Sequence, residues 1–208
     1  METTRDRLVI TALQLFSQKG YQSTSVADIL AAAGANSGSL YHAFPTKQDL
    51  LVAVLETYRD GIVPMLLAPA WEGVDDPIDR IFALLARYRQ ALEGSDCLYG
   101  CPIGSLALEL HEPDPQVREM LAENFDAWRA HLRACLEAAR DRLPAEVDTE
   151  ALAAFVLTIM EGGVMQSRTY RSLDAFDACV ATLRDYFNRL EVAAASPADR
   201  RRGPGNSR

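Results

Sequence analysis

The sequence predicts an all-α protein: a small N-terminal head of three helices followed by a larger helical bundle. Three observations carry this reading. No segment shows the period-two alternation of a half-buried strand. Helix-start signals recur along the chain: Ser25 and Thr46 are each followed three residues later by an aspartate (Asp28, Asp49), and Asp-Pro pairs stand at Asp76-Pro77 and Asp114-Pro115. Between Thr24 and Leu51, two very short helical segments flank Gly34, and a longer helix starts directly afterwards. The head therefore spans residues 1–50 and the body 51–190, with 51–64 as the linking helix. Residues 191–208, which include Arg200, Arg201 and Arg202, have the composition of a disordered, solvated tail.

The first helix is expected over residues 3–19. Leu8, Ala12, Leu15 and Phe16, joined by Ile10 and Leu13, form its apolar stripe, and Gly20 ends it. Ser25 caps the second, whose Val26, Ile29 and Leu30 face the core and whose Ala31, Ala32 and Ala33 allow close packing; Gly34 terminates it. Asn36 caps a third helix carrying Ser37, Gly38, Ser39, Leu40, Tyr41 and His42, and Pro45 breaks it. Thr46 and Asp49 open a fourth, running to about Ile62 and kinked or ended by Pro64. In the body, helices are expected from Pro77 to about Leu92, Pro102 through Leu110, Pro115 to about Leu143, Asp148 to about Arg168, and Ser172 to near Leu190.

Two glycines, Gly162 and Gly163, interrupt the helix that starts at Asp148, at a cost of about 1 kcal/mol each relative to alanine. Close helix approach at a two-fold interface would offset that, as would room for a ligand beneath the backbone; a poorly packed kink is the plain alternative. Phe176, Val180, Leu183 and Phe187 are spaced to cover one face of the last helix. With residues 148–168, that face suggests a four-helix dimer interface.

The second and third helices have the layout of a helix-turn-helix, whose second helix enters the major groove of DNA. Ser37, Gly38 and Ser39 leave room for close approach and offer hydroxyls. Tyr41 and His42 can reach backbone oxygens, and Lys47 can meet a further phosphate. Thr24, Ser25 and Asn36 complete the set expected at a nucleic-acid surface. On spacing alone, an ordinary helical hairpin with a glycine turn remains open.

Composition limits the alternatives. With 208 residues and 49% apolar content the chain can bury a real core. It lacks any run of about 18 apolar residues and any N-terminal hydrophobic signal core, so a cytoplasmic protein with no membrane span is expected. The net charge of −8 argues at first against a DNA partner, but Arg5, Arg7, Lys19 and Lys47 balance Glu2, Asp6, Asp28 and Asp49 within the head. The whole acidic excess lies in residues 51–208, so DNA binding should be modest and steeply salt-dependent. A phosphate-cradling glycine loop, a dinucleotide fingerprint and a G-x-S-x-G nucleophile turn are all missing, which speaks against an enzyme. The spacing of Cys97, Cys101, His111, His131 and Cys135 makes no sensible metal set, and no cofactor is expected.

The head resembles the DNA-binding domain of TetR/AcrR-type repressors. Ala12, Leu15, Phe16, Gly20, Tyr21, Thr24, Val26, Asp28, Ile29, Ala33, Gly34, Gly38, Leu40, Tyr41, Phe44, Lys47 and Leu50 match that family's pattern over residues 5–55. Two positions depart from it: Ser37 stands where Lys or Arg is frequent, and Ala43 where an aromatic residue or His is common. The resemblance implies a homodimer formed through the last two helices, a near-palindromic double-stranded DNA operator, and a body that binds a small-molecule inducer. A helical adaptor without DNA binding is the remote alternative. Candidate pocket residues are Phe82, Tyr88, Cys101, Phe125, Trp128, Phe155, Met160 and Met165, each of which can equally be plain core.

Residues 97–110, C-L-Y-G-C-P-I-G-S-L-A-L-E-L, are similar to a G-C-x-x-G-x-L-A-x-E motif in a branch of those repressors that includes sensors of reactive electrophiles. Gly100, Cys101, Gly104, Leu106, Ala107 and Glu109 match. Cys101 before Pro102 is expected at a helix N-terminus, where the dipole favours the thiolate, with Cys97 as a resolving thiol. The alternative is that both are small buried apolar residues.

Overall fold

The structure, a computed structural model, describes residues 3–196, and among them every regular element is helical. The head comprises α1 (Thr4–Lys19), α2 (Val26–Ala33) and α3 (Ser37–Ala43). The linking helix α4 (Lys47–Gly61) continues through a π-helical stretch (Ile62–Leu67) into α5 (Ala68–Trp71). The body holds α6 (Pro77–Gly94), α7 (Pro102–Glu109), α8 (Pro115–Ala138), α9 (Thr149–Tyr170) and α10 (Asp174–Ala195).

The expected caps form. Ser25 with Asp28 and Thr46 with Asp49 make complete capping boxes, and Asn36 Oδ1 accepts from Ser39 N at 2.8 Å. Asp76, Asp114 and Asp148 cap α6, α8 and α9 through their side chains. Gly34 takes φ 57°, the left-handed conformation that closes α2. A third capping box, Thr3 with Asp6, starts α1.

Three boundaries differ from expectation. α4 ends at Gly61, close to the expected Ile62, but Pro64 does not start a loop: it falls in a π-helical stretch, Ile62–Leu67, with Ala68 N donating to Val63 O. α8 ends at Ala138, and residues Arg140–Arg142 form a 3-10 turn in place of its last turn. α10 runs to Ala195, five residues past the expected end, so the beginning of the supposed tail is helix. Arg200, Arg201 and Arg202 lie outside the described residues.

Trp128, Phe176 and Phe187 are fully buried at the centre of the body, where α9 packs against α8 and α10, and α4 crosses α8. Phe176, Leu183 and Phe187 therefore fill the chain's own core, not a dimer face; the spacing that marks an apolar stripe does not say which surface covers it. Gly163 explains part of that packing. A Cβ there would meet the Phe176 ring at 2.8 Å, so this glycine lets α10 approach α9 within one chain. What α9 and α10 leave exposed includes Phe155, Met165, Tyr186 and Val192, with Phe155 and Tyr186 edge-to-face at 6.1 Å.

Candidate nucleic-acid interface and body cavity

α3 is anchored by one side chain and presents the rest. Leu40 is fully buried, and Phe44 just beyond the helix is buried as well, fixing the helix on α1. Asn36, Ser37, Gly38, Tyr41 and His42 are exposed, and Tyr41 shows 53% of its surface. Ser25 is exposed but holds the α2 cap with both its hydroxyl and its backbone N–H on Asp28. Ser39 is half-buried. The helix thus offers a short strip of small polar residues followed by an aromatic ring and an imidazole.

Two expected surface residues are used internally. Thr24 is fully buried, its hydroxyl donating to Gly20 O at 2.7 Å. The Lys47 ammonium donates to Tyr21 O and lies 4.1 Å from the centre of the Tyr21 ring, so it braces the α1–α2 turn. Burial lowers the Lys47 ammonium from its ordinary value, and the charge of Glu109 partly offsets that. Both residues serve the head's own shape because a motif position does not reveal which way a side chain turns.

Glu109 makes a contact that the sequence pattern did not single out. It ends α7 in the body, yet its carboxylate accepts from the backbone N–H of Tyr21 at 2.8 Å and of Gln22 at 2.7 Å in the head. A Cβ on Gly20, whose φ is 84°, would press within 2.9 Å of that carboxylate. Body and head are therefore joined by a charge-assisted, two-pronged hydrogen bond. α4 is tied to the body separately: Asn124, fully buried on α8, donates to Leu55 O at 3.2 Å, and Arg59 pairs with Glu123 at 2.5 Å.

The same helix α7 walls a cavity of about 660 Å³ between α7, α8 and α9. Gly104, Ser105 and Leu108 line it from α7, Phe125 from α8, and Leu157, Glu161, Met165 and Arg168 from α9. A second cavity of about 410 Å³ lies between α1, α4 and α6, lined by Leu13, Tyr58, Met65 and Tyr88. Gly100 and Val164 border both. Of the expected pocket residues, Cys101, Phe125 and Met165 line the first cavity and Tyr88 the second. Phe82, Trp128 and Met160 are buried core, and Phe155 sits on the exposed α9–α10 surface.

Between the cavities lies a polar cluster. Tyr58 Oη stands 4.0 Å from Cys101 Sγ, the Tyr88 hydroxyl and Glu161 Oε1 are buried without a hydrogen-bond partner, and burial raises both phenols well above their ordinary value. Burial likewise pushes up the Glu161 carboxyl. Cys101 does precede α7, as expected, but burial and the neighbouring Glu161 push its thiol far up, overriding the helix N-terminus. Its ground state is the neutral thiol. Cys97 is buried too, with a left-handed φ of 55°.

The family model described as "Bacterial regulatory proteins, tetR family" matches residues 8–54, and "Tetracyclin repressor-like, C-terminal domain" matches residues 77–183. The chain belongs to the TetR family. Among its relatives is an uncharacterized HTH-type transcriptional regulator of Mycobacterium tuberculosis, 30% identical over 195 residues that cover 89% of this chain and 94% of that protein. The HTH-type transcriptional repressor DhaR of Mycobacterium sp. (strain GP1) is 25% identical, covering 83% of this chain and 86% of its own. Among solved structures, a regulatory protein TetR from Rhodobacter sphaeroides superposes with a TM-score of 0.79 at 25% identity, covering 89% and 97% of the two chains. The reduced form of Escherichia coli NemR gives 0.76 at 25% identity, covering 88% and 95%. This TetR-family chain is a helix-turn-helix, DNA-binding transcriptional regulator. No helix among the described residues is long and apolar enough to cross a membrane.

Proposed function

We propose that this regulator is a ligand-responsive repressor. Two copies pair through the surface of α9 and α10 that carries Phe155, Met165 and Tyr186, and set their α3 helices in successive major grooves of a near-palindromic operator. Ser37, Gly38, Ser39, Tyr41 and His42 face the DNA, with Ser25 and Asn36 at the flanking helix starts. The names of relatives such as DhaR, a repressor, support the direction of control.

The observation that carries ligand response is the double engagement of α7. One short helix, Pro102–Glu109, walls the large cavity along Gly104, Ser105 and Leu108 and holds the head through Glu109. A molecule that fits the cavity only when α7 shifts would change how the head is held. It would act as a population shift, driven by its better affinity for the released state.

The test is a fluorescence-anisotropy titration onto DNA from upstream of the protein's own gene, at several salt concentrations, beside a promoter reporter with and without the regulator. Saturable binding that weakens steeply with salt, together with higher reporter output in the absence of the regulator, supports repression. Lower output without it would make the protein an activator and end this reading.

A further inference from the structure

The motif residues Gly100 and Gly104 have no part in reading DNA, yet each makes room for a polar side chain of α9. A Cβ on Gly100 would come within 2.7 Å of Arg168 Cδ, and one on Gly104 would collide with Glu161 Oε2. Arg168 therefore lies across Gly100, and its guanidinium donates to Ser105 Oγ at 3.1 Å. Glu161 fills the hollow above Gly104. The two side chains are seven residues apart on one helix, so they share a face and are separated by about 10 Å along its axis.

Both border the 660 Å³ cavity, as does Arg171, which follows α9 and donates to Cys97 O at 2.9 Å. Among the described residues neither Arg168 nor Arg171 forms an ion pair. Apolar side chains, chiefly Phe125, Leu157, Val164 and Met165, supply most of the remaining wall. The cavity thus offers two unpaired guanidinium groups near one end, an apolar middle, and a largely buried carboxyl with an unpartnered oxygen at the other.

We propose that this cavity binds a small organic carboxylate with an apolar body, its carboxylate on Arg168 and Arg171 and its hydrocarbon against Phe125 and Met165. The proposal rests on the reading of the cavity as the effector site and names the effector's chemistry. A guanidinium recognises a carboxylate through paired N–H donors, and Arg168 is already held in place for that by Gly100 and Ser105. Two guanidinium groups face one carboxyl, Glu161, which burial pushes up, so the cavity wall is not acidic even though the protein's net charge is −8. Glu161, with its buried and unpartnered Oε1, is placed to hydrogen-bond a hydroxyl on the far end of the ligand.

The test uses the full-length protein and a panel of C4–C10 straight-chain carboxylates with 3-phenylpropionate, each beside its matched primary alcohol and primary amine. Binding is read by isothermal titration, and operator DNA binding is read in parallel by anisotropy. At least one carboxylate is expected to bind about tenfold or more tightly than its alcohol, with the advantage lost in Arg168→Ala and reduced in the exposed variant Arg171→Ala. Equal binding of acid and alcohol overturns the proposal. So do preferential amine binding that Glu161→Gln abolishes and the failure of every carboxylate to bind below millimolar concentration. Carboxylate binding that leaves DNA affinity unchanged keeps the ligand class and removes the effector role. DNA binding that stays intact while no carboxylate binds removes the ligand class and keeps the regulator.

Discussion

Replacing Glu109 by glutamine tests the joint between body and head without changing side-chain volume. The carboxylate accepts from two backbone N–H groups, Tyr21 at 2.8 Å and Gln22 at 2.7 Å. A glutamine keeps one carbonyl acceptor and turns an NH₂ donor toward the other N–H, so one charge-assisted bond is lost and the other weakens. Hydrogen bonds to charged groups are worth roughly 1.5–3 kcal/mol, and the exposed Gln22 prong is readily replaced by water, so the expected loss is about 1.5–3 kcal/mol in total. For a chain of this size that lowers the melting temperature by roughly 3–12 °C. Hydrogen exchange localises the effect: the Tyr21 amide should exchange about tenfold or more faster, because 1.4 kcal/mol corresponds to roughly a factor of ten in the opening equilibrium, while amides in the centre of α8 change less. An unchanged melt with unchanged exchange at Tyr21 and Gln22 would refute the joint, and with it the coupling route through α7.

Other expectations follow from the same geometry. Tyr41→Ala should weaken operator binding severalfold, as the loss of one phosphate contact does, and leave the dimer intact by analytical ultracentrifugation; unchanged binding at controlled salt would remove Tyr41 from the interface. Buried and held as the neutral thiol, Cys101 should react with iodoacetamide at neutral pH far more slowly than a free cysteine, and Cys101→Ser should leave DNA on oxidant treatment as readily as the wild type; rapid alkylation at Cys101 by peptide mapping would revive thiol sensing. Glu161 has its carboxyl raised above 4.5 in the folded state, so its contribution to stability is fully present below that value and is lost as pH rises through the folded value. The stability of Glu161→Gln relative to wild type should therefore grow as pH climbs from about 4.5, and a pH-independent difference in denaturant midpoints would contradict the burial argument. Gly163→Ala should cost roughly 1–3 kcal/mol by overpacking Phe176, read as a lower denaturant midpoint.

The helices and most of their boundaries were legible because they depend on neighbours in the chain. A cap needs a side chain three residues from an N–H, as in Ser25 with Asp28 or Asn36 with Ser39, and a left-handed stop needs only Gly34. The all-α class could be expected from the whole chain, and the helix-turn-helix and the exposure of Tyr41 and His42 from residues 24–51. Pro64 was legible as a disturbance but not as a π turn, since a stop and a widening relieve the same missing N–H.

What tertiary structure alone decided concerns contacts between distant segments. Glu109 meets Tyr21 across 88 positions, and Arg168 meets Ser105 across 63. The i, i+3 and i, i+4 periodicity of α10 shows that one face is apolar but not that α9 and the core take Phe176 and Phe187. Lys47 matches its motif position and still turns inward to Tyr21, because a motif fixes the backbone site and packing fixes the rotamer. For Cys101, sequence supplied the helix start that would lower a thiol, and the fold supplied the burial beside Glu161 that raises it. Of the two opposing effects the desolvation is larger, since it acts on the whole charge while the helix end acts on part of one.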